Sequence, residues 1–173
     1  MLAEKICGNL RDYDTQSLNI DTIEIDWYDT RKKIARLKTS QGREIGMKLT
    51  NFSQNGLNHG DILYVSKDCI IAIVIRPVKV LYLYMKDMAS IVRIVYEIGN
   101  RHLPLFFGTQ AMELQTPFEK PLQILLDKMQ IQYEIKDSIL DSKDRLSVSM
   151  PHSEIQKKIE ISNDFEVRII KKD

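Results

Sequence analysis

The histidines are the residues of this sequence best suited to bind a transition metal. The chain contains 3 of them, His59, His102 and His152, and a neutral imidazole is a common ligand for nickel, zinc and copper. Their spacing provides no H-x-x-x-H pair. The 2 cysteines, Cys7 and Cys69, lack the C-x-x-C spacing of a closed zinc site. A single chain therefore offers too few ligands for a tight all-histidine site.

A symmetric dimer would supply the ligands that one chain lacks. If His102 lies near a twofold axis, two chains contribute two imidazoles to one ion, and a mobile tail could add His152. Such a site keeps ligand positions open, which suits delivery of an ion better than permanent retention. The residues alone leave simpler roles open: His102 fits a capping or surface residue at a helix end, His59 a turn, and His152 a solvated tail.

Enzyme motifs are absent from the sequence. It lacks the glycine-rich phosphate loops and the G-x-S-x-G nucleophile elbow, and its carboxylates are scattered. Asn100-Arg101 resembles the phosphate-holding pair of acyl-phosphate hydrolysis. However, that pair follows the first predicted helix, and the preceding strand-to-helix turn, Met85-Lys86-Asp87, has no glycine. We therefore expect a protein that is not an enzyme.

Charge and hydropathy limit the classes of partner. Lys plus Arg number 25 and Asp plus Glu number 24, so the formal charge of +1 gives no reason to expect nucleic acid or an anionic membrane. No apolar run approaches the roughly 20 residues of a membrane helix, and the N-terminus lacks a secretion signal. Cys7 and Cys69 lie in apolar runs, which favours buried free thiols in a reducing compartment. These features predict a soluble cytoplasmic protein.

The densest positive charge lies in the first half of the chain and provides an alternative function. Trp27 and Tyr28 are nearby, and basic residues beside aromatic ones are typical of RNA-binding surfaces. The acidic neighbours Asp26, Asp29 and Glu44 favour a solvated strand face instead. The alternative is a metal-free module that engages RNA or a peptide. The basic cluster consists of Arg31, Lys32, Lys33, Arg36, Lys38 and Arg43.

Residues 1–75 have only β-strand patterns. Polar and apolar residues alternate over 22–27, 33–38 and 44–49, and two apolar runs follow at 61–65 and 69–75. Several short strands with turn residues between them predict a small sandwich or barrel.

After Arg76-Pro77 the pattern changes to the order β-α-β-β-α-β, which predicts a ferredoxin-like sheet backed by two helices. Strands are expected at 78–84, 103–107, 111–115 and 131–135. Asp87 can cap a first helix that ends near Gly99. A capping box at 116–119 can start the second helix, with Lys120-Pro121 as the alternative start. The apolar face of the first helix consists of Met88, Ile91, Val92, Val95 and Ile98.

The predicted fold class is therefore α+β with three parts. They are an N-terminal all-β sandwich or barrel-like domain (1–75), a ferredoxin-like domain (76–136) and a polar, partly mobile C-terminal tail (137–173).

The end of the first predicted helix resembles the signature of a known family. This end reads Tyr96-Glu97-Ile98-Gly99-Asn100-Arg101-His102, which resembles the E-I-G-N-R-H signature of the UreE urease accessory proteins. Residues 9–12, 30–36 and 60–63 fit the first domain of that family. Residues 116–121 and 148–153 are especially similar to members from Helicobacter-type bacteria.

The resemblance implies a nickel metallochaperone. Members of the family form homodimers through the ferredoxin-like domain, and the two motif histidines bind one nickel ion, or zinc, across the dimer axis. They pass nickel to the urease accessory GTPase UreG and onward to apo-urease, and their β-domain is regarded as a protein- or peptide-binding module. Carried over, His102 is the bridging ligand and His152 a supplementary tail ligand.

The end of the chain departs from the family pattern. Many members end in a histidine-rich tail, whereas this chain ends in Lys171-Lys172-Asp173. One ion per dimer is therefore the expectation, and further pairing of dimers around the metal stays open.

Overall fold

A computed structural model of the chain describes residues 1–13, 19–50 and 56–147. These residues form an α+β fold of 11 strands, 2 α-helices and 3 short 3-10 helices. Neither α-helix in these ranges has the length and apolar character needed to cross a membrane.

The first seven strands build two sheets. One sheet has the order β1-β5-β4, and the other has the order β2-β6-β7-β3. The β1–β5 and β3–β7 pairs are parallel, so both sheets join strands that are distant in sequence. In chain order the strands are Leu2–Ala3 (β1), Gly8–Asn9 (β2), Asn19–Ile25 (β3), Ile34–Lys38 (β4), Glu44–Lys48 (β5), Asp61–Val65 (β6) and Cys69–Ile75 (β7).

Apolar residues from both sheets share one core. Ile45 and Met47 of β5 and Ile71 and Ile73 of β7 are at most 2% exposed and belong to the same cluster. Their polar neighbours on β5 point to solvent, as period-2 alternation requires. β7 is buried on both faces, which explains its continuous apolar run. The predicted all-β sandwich is therefore confirmed.

The third sheet follows directly after Arg76 and Pro77. Its order is β11-β8-β10-β9, and all neighbouring strands are antiparallel. Each helix thus connects two strands that lie on either side of a third, which is the ferredoxin-like arrangement predicted from the sequence. The elements are Val78–Tyr84 (β8), Met88–Asn100 (α1), Phe106–Phe107 (β9), Glu113–Pro117 (β10), Lys120–Met129 (α2) and Gln132–Ser138 (β11). The division of the chain into separate domains stays a prediction.

Helix α1 begins where the sequence predicts. The Asp87 carboxylate accepts a hydrogen bond from the Ser90 N–H at 2.7 Å, as an N-cap residue does. Ile94 and Ile98 are at most 1% exposed and pack on the sheet. Burial of each contributes roughly 1.5–3 kcal/mol.

The predicted start of α2 at the capping box is wrong, and the alternative at Lys120 is confirmed. Thr116 is fully buried, and its hydroxyl donates to the carbonyl of Pro104 at 2.8 Å. The N–H of Phe118 donates to the carbonyl of Lys79 at 2.9 Å. These bonds extend the sheet, so β10 runs to Pro117 and not to residue 115.

The last strand, β11, is longer than predicted. It pairs with β8 as far as Ser138, three residues beyond the predicted end at Ile135. Lys136 occupies this polar stretch, and its Nζ lies 3.5 Å from the centroid of the Tyr82 ring. A cation–π contact of this kind stabilises a charged residue on the sheet surface, which a hydropathy pattern does not reveal.

The chain then returns toward the first half. Leu140 packs with Phe106 and Tyr82, and the Asp141 carboxylate accepts a hydrogen bond from the His59 N–H at 3.3 Å. The first residues of the predicted tail are therefore built into the fold. The part of that tail from residue 148 onward lies outside the described residues.

Candidate metal centre

His102 follows Arg101, the residue that caps the C-terminal end of α1. Its N–H donates to the carbonyl of Gly99 at 2.9 Å, and the Leu103 N–H donates to the carbonyl of Ile98 at 3.2 Å. This pair of bonds is the Schellman motif, which satisfies carbonyls left open at a helix end. Leu103 and Ile98 also pack in one cluster. The backbone position of His102 is therefore fixed, while its side chain is exposed.

The backbone of His102 has a left-handed conformation, with φ of 54°. Glycine usually occupies this position, because a Cβ atom clashes there and costs roughly 1–2 kcal/mol. Gln130 ends α2 in the same way, with φ of 56°, and is also exposed. A left-handed residue at a helix end therefore does not by itself indicate a metal ligand. Gln130 provides a matched position at which no metal is expected.

We expect His102→Gly and Gln130→Gly each to raise the free energy of unfolding by about 0.5–1 kcal/mol, since glycine removes the clash of the left-handed conformation. Urea unfolding at one protein concentration, with a chelator present, measures both. If His102→Gly lowered stability while Gln130→Gly raised it, the imidazole would have a structural contact within its own chain.

An ion pair within α1 holds the last turn before His102. The Arg101 guanidinium donates to the Glu97 carboxylate and, at 2.7 Å, to the Glu97 carbonyl. The second bond satisfies a helix-end carbonyl. Arg101 therefore supports the turn that precedes His102.

A stripe of exposed apolar side chains runs along α1 toward His102. Met88, Val92 and Tyr96 are 66%, 62% and 68% exposed. The predicted apolar face is confirmed for Ile91, Val95 and Ile98, which pack on the core, and is wrong for Met88 and Val92. The buried Ile94 takes part in the buried face although it was not predicted to. Residues 88, 92 and 96 recur at a spacing of four, so they lie along one line on the helix surface. Exposed apolar patches of this kind mark interaction surfaces.

Gly99 lies one turn before the left-handed residue. A Cβ atom built there would meet no other atom within 4 Å. Packing within a single chain therefore does not require glycine at residue 99.

The metal donors remain dispersed within a single chain. Among residues 1–13, 19–50 and 56–147, no group of three or more His, Cys, Asp or Glu residues is placed to hold an ion. The Nδ1 atom of His59 accepts a hydrogen bond from the Ile75 N–H at 3.2 Å, which is a structural role. His152 lies outside the described residues. An ion bound at His102 would therefore need further ligands from elsewhere.

The two cysteines differ in exposure. Cys69 is buried, but Cys7 is exposed, so the expectation of two buried thiols is wrong for Cys7. The β2 region lies at the edge of its sheet, where an apolar run does not guarantee burial.

The basic cluster does not form a continuous free surface. Lys32 pairs with Asp29 at 2.8 Å, and Arg43 pairs with the buried Asp21 at 3.4 Å. Part of the positive charge is thereby neutralised inside the fold. Binding of RNA or a peptide by this half stays a prediction.

Comparison with known proteins assigns the family. Residues 3–76 match the family model described as the N-terminal domain of the UreE urease accessory protein. The urease accessory protein UreE of Helicobacter pylori (strain P12) is 45% identical over 167 residues, covering 96% of this chain and 98% of that protein. The chain belongs to the UreE urease accessory protein family. The UreE of Helicobacter hepaticus is also 45% identical over 172 residues, which cover 99% of this chain and 98% of that protein.

The UreE-family signature lies at the C-terminal end of α1. The signature residues 97–102 form the last turn of α1 and the left-handed residue that follows it. In this UreE-family chain the signature therefore places one exposed imidazole at the end of an exposed apolar stripe.

Proposed function

We propose that this UreE-family protein is a nickel metallochaperone that binds one Ni(II) ion between two chains and delivers it for assembly of the urease active site. The observation that carries the proposal is the exposed His102, held in a left-handed turn at the end of the stripe formed by Met88, Val92 and Tyr96. The ion is cargo, and its binding site is shared between chains.

The stripe supports the homodimer on which the site depends. Pairing two copies through α1 would bury the three exposed apolar side chains, and burial of apolar area drives association. In a twofold dimer the same patch is used by both chains. If the two copies of α1 run side by side in the same direction along the twofold axis, both His102 side chains lie at the same end of the interface. Two imidazoles leave further positions on the ion open, so it can be released to an acceptor.

His152 is proposed as a supplementary ligand from the tail. Imidazole suits zinc as well as nickel, so zinc is proposed as an alternative ion at the same site. The proposed acceptors are the urease accessory GTPase UreG and apo-urease, and the proposed compartment is the cytoplasm. The proposed role is that of a carrier and not of an enzyme, in keeping with the accessory role of the family.

Calorimetric titration of the full-length chain with Ni(II) tests this function. We expect one ion for every two chains, because neither chain alone completes the site. His152→Ala should keep this stoichiometry with about tenfold weaker affinity, equivalent to about 1.4 kcal/mol. One ion per single chain would contradict a shared site, and an unchanged isotherm for His152→Ala would remove His152 from the ligand set.

A further inference from the structure

Strand β4 has an open edge. Among residues 1–13, 19–50 and 56–147 it pairs with β5 alone. Lys33 and Thr39, at either end of β4, form backbone hydrogen bonds of 2.9 Å with the residues that flank β5. Bonded pairs alternate along an antiparallel ladder, so the odd-numbered residues of β4 bond to β5. The backbone groups that point away from β5 belong to Ile34, Arg36 and Lys38.

An apolar cavity of about 160 Å³ lies along the same strand. Ala35 and Leu37 are the residues of β4 that pack toward the sandwich core, and both line the cavity. A strand added to the open edge would therefore extend the apolar face of the sheet beside this space. A cavity of roughly 150 Å³ can hold a benzene molecule, so the volume suits one aromatic side chain. The other apolar lining residues are Ile25, Met47 and Leu57.

The solvent face of β4 is positively charged. Arg36 and Lys38 are exposed, and within the described part of the chain neither forms a side-chain hydrogen bond or an ion pair. Glu44 lies opposite Lys38 in the ladder without forming an ion pair with it. Ile34, on the same face, is 71% exposed. The open edge thus combines unpaired backbone groups with uncompensated cations.

These cations disfavour a second copy of β4 as the occupant of the edge. Antiparallel pairing of two β4 strands would bring Arg36 and Lys38 of both chains together, and like charges on adjacent strands are destabilising. Charged residues on an edge strand prevent such self-pairing. The same charges favour an acidic segment.

One segment of this chain has the complementary pattern. Residues 159–167 lie outside the described residues, and their sequence alternates between two kinds of residue. One set of alternate positions holds Ile159, Ile161, Phe165 and Val167, with Asn163 between them. The other set holds Glu160, Ser162, Asp164 and Glu166, and the segment contains no Lys or Arg.

We propose that residues 159–167 bind the open edge of β4 in the same chain as an additional strand. Backbone hydrogen bonds to a sheet edge give such a segment its affinity, and its alternate side chains give specificity. Phe165 fills the apolar cavity, and the acidic side chains lie beside Arg36 and Lys38. The link from residue 147 to residue 159 can span up to roughly 40 Å, about the diameter of a domain of this length. The nickel site is not needed for this contact.

Hydrogen exchange of the full-length, nickel-free protein, followed for each amide by NMR, tests the contact. We expect slow exchange at Ile34, Arg36 and Lys38 in the unaltered chain. Phe165→Asp should make exchange at these amides at least about tenfold faster, because it removes the apolar side chain and places a charge at the cavity. Exchange at Ala35 and Leu37 should not change, since these amides bond to β5.

Ile155→Asp is the matched control, because it makes a similar change outside the proposed segment. It should leave exchange at the edge amides slow. Arg36→Glu is a second test from the other side of the contact and should speed exchange at Ile34 and Lys38. The unchanged amides of Ala35 and Leu37 show that each variant keeps the fold.

Four results would overturn the proposal. They are fast exchange at Ile34, Arg36 and Lys38 in the unaltered chain, slow exchange that Phe165→Asp leaves unchanged, equal acceleration by Ile155→Asp, and protection that rises with protein concentration. The last result would assign the edge to a second copy instead. No nickel is present, so a negative result leaves the metallochaperone proposal intact.

Discussion

Replacing His102 with alanine is expected to abolish saturable Ni(II) binding at the shared site, with affinity reduced by roughly a hundredfold or more. The loss is large because one substitution removes two ligands from each dimer. The remaining donors of the described residues form no cluster that could retain the ion. Calorimetry on the full-length variant, compared with the unaltered chain, measures the effect.

Gln130→Ala is the matched control for His102→Ala. Both substitutions remove an exposed side chain from a left-handed residue that closes a helix, so their effects on the backbone are alike. Only His102→Ala should change the nickel isotherm. Nickel binding of unaltered affinity and stoichiometry in His102→Ala would place the ion at another site and refute the central assignment.

Val92→Asp is expected to convert the proposed homodimer into a monomer. Val92 lies in the middle of the exposed stripe on α1, so a twofold interface through this stripe would bring two carboxylates together in an apolar surrounding. Burial of unpaired charges there costs several kcal/mol. Sedimentation velocity should show the mass of one chain, and nickel affinity should fall because the ion loses its second imidazole.

Ile124→Asp provides the comparison for Val92→Asp. Ile124 lies on α2 and is 45% exposed, so the substitution introduces the same carboxylate on a helix surface outside the stripe. It should leave the dimer intact. If Val92→Asp remained dimeric, the interface would lie elsewhere and the stripe would need another explanation. Both positions are exposed, so the fold of the single chain should tolerate either change.

The fold was largely predictable because its elements have strong periodic patterns. Alternation identified most strands of the sandwich, and the Asp87 cap and the order of elements identified the third sheet. The errors lie where tertiary contacts override local signals. Thr116 and Pro117 have the sequence of a helix start, but the hydrogen bond to Pro104 keeps them in the sheet. Lys136 belongs to a strand because the Tyr82 ring stabilises its charge.

The position of His102 at the end of the first helix was predictable, but its backbone conformation was not. The left-handed backbone at His102 has no signal in the sequence, since glycine is the residue that marks such a position. The role of His102 as a metal ligand stays a prediction. The solvent exposure of Val92 was also not predicted. Apolar residues that extend beyond the buried face of a helix have the same sequence pattern as residues of the core face.

The left-handed conformation of His102 has a consequence for protein engineering. A library selected only for resistance to heat would favour glycine at residue 102, because glycine suits that backbone better than histidine. Such selection would remove the one imidazole that the helix end presents. Glycine at residue 130 offers the same gain without that loss. Thermostable variants of this protein should therefore be sought with residue 102 held fixed and residue 130 free to change.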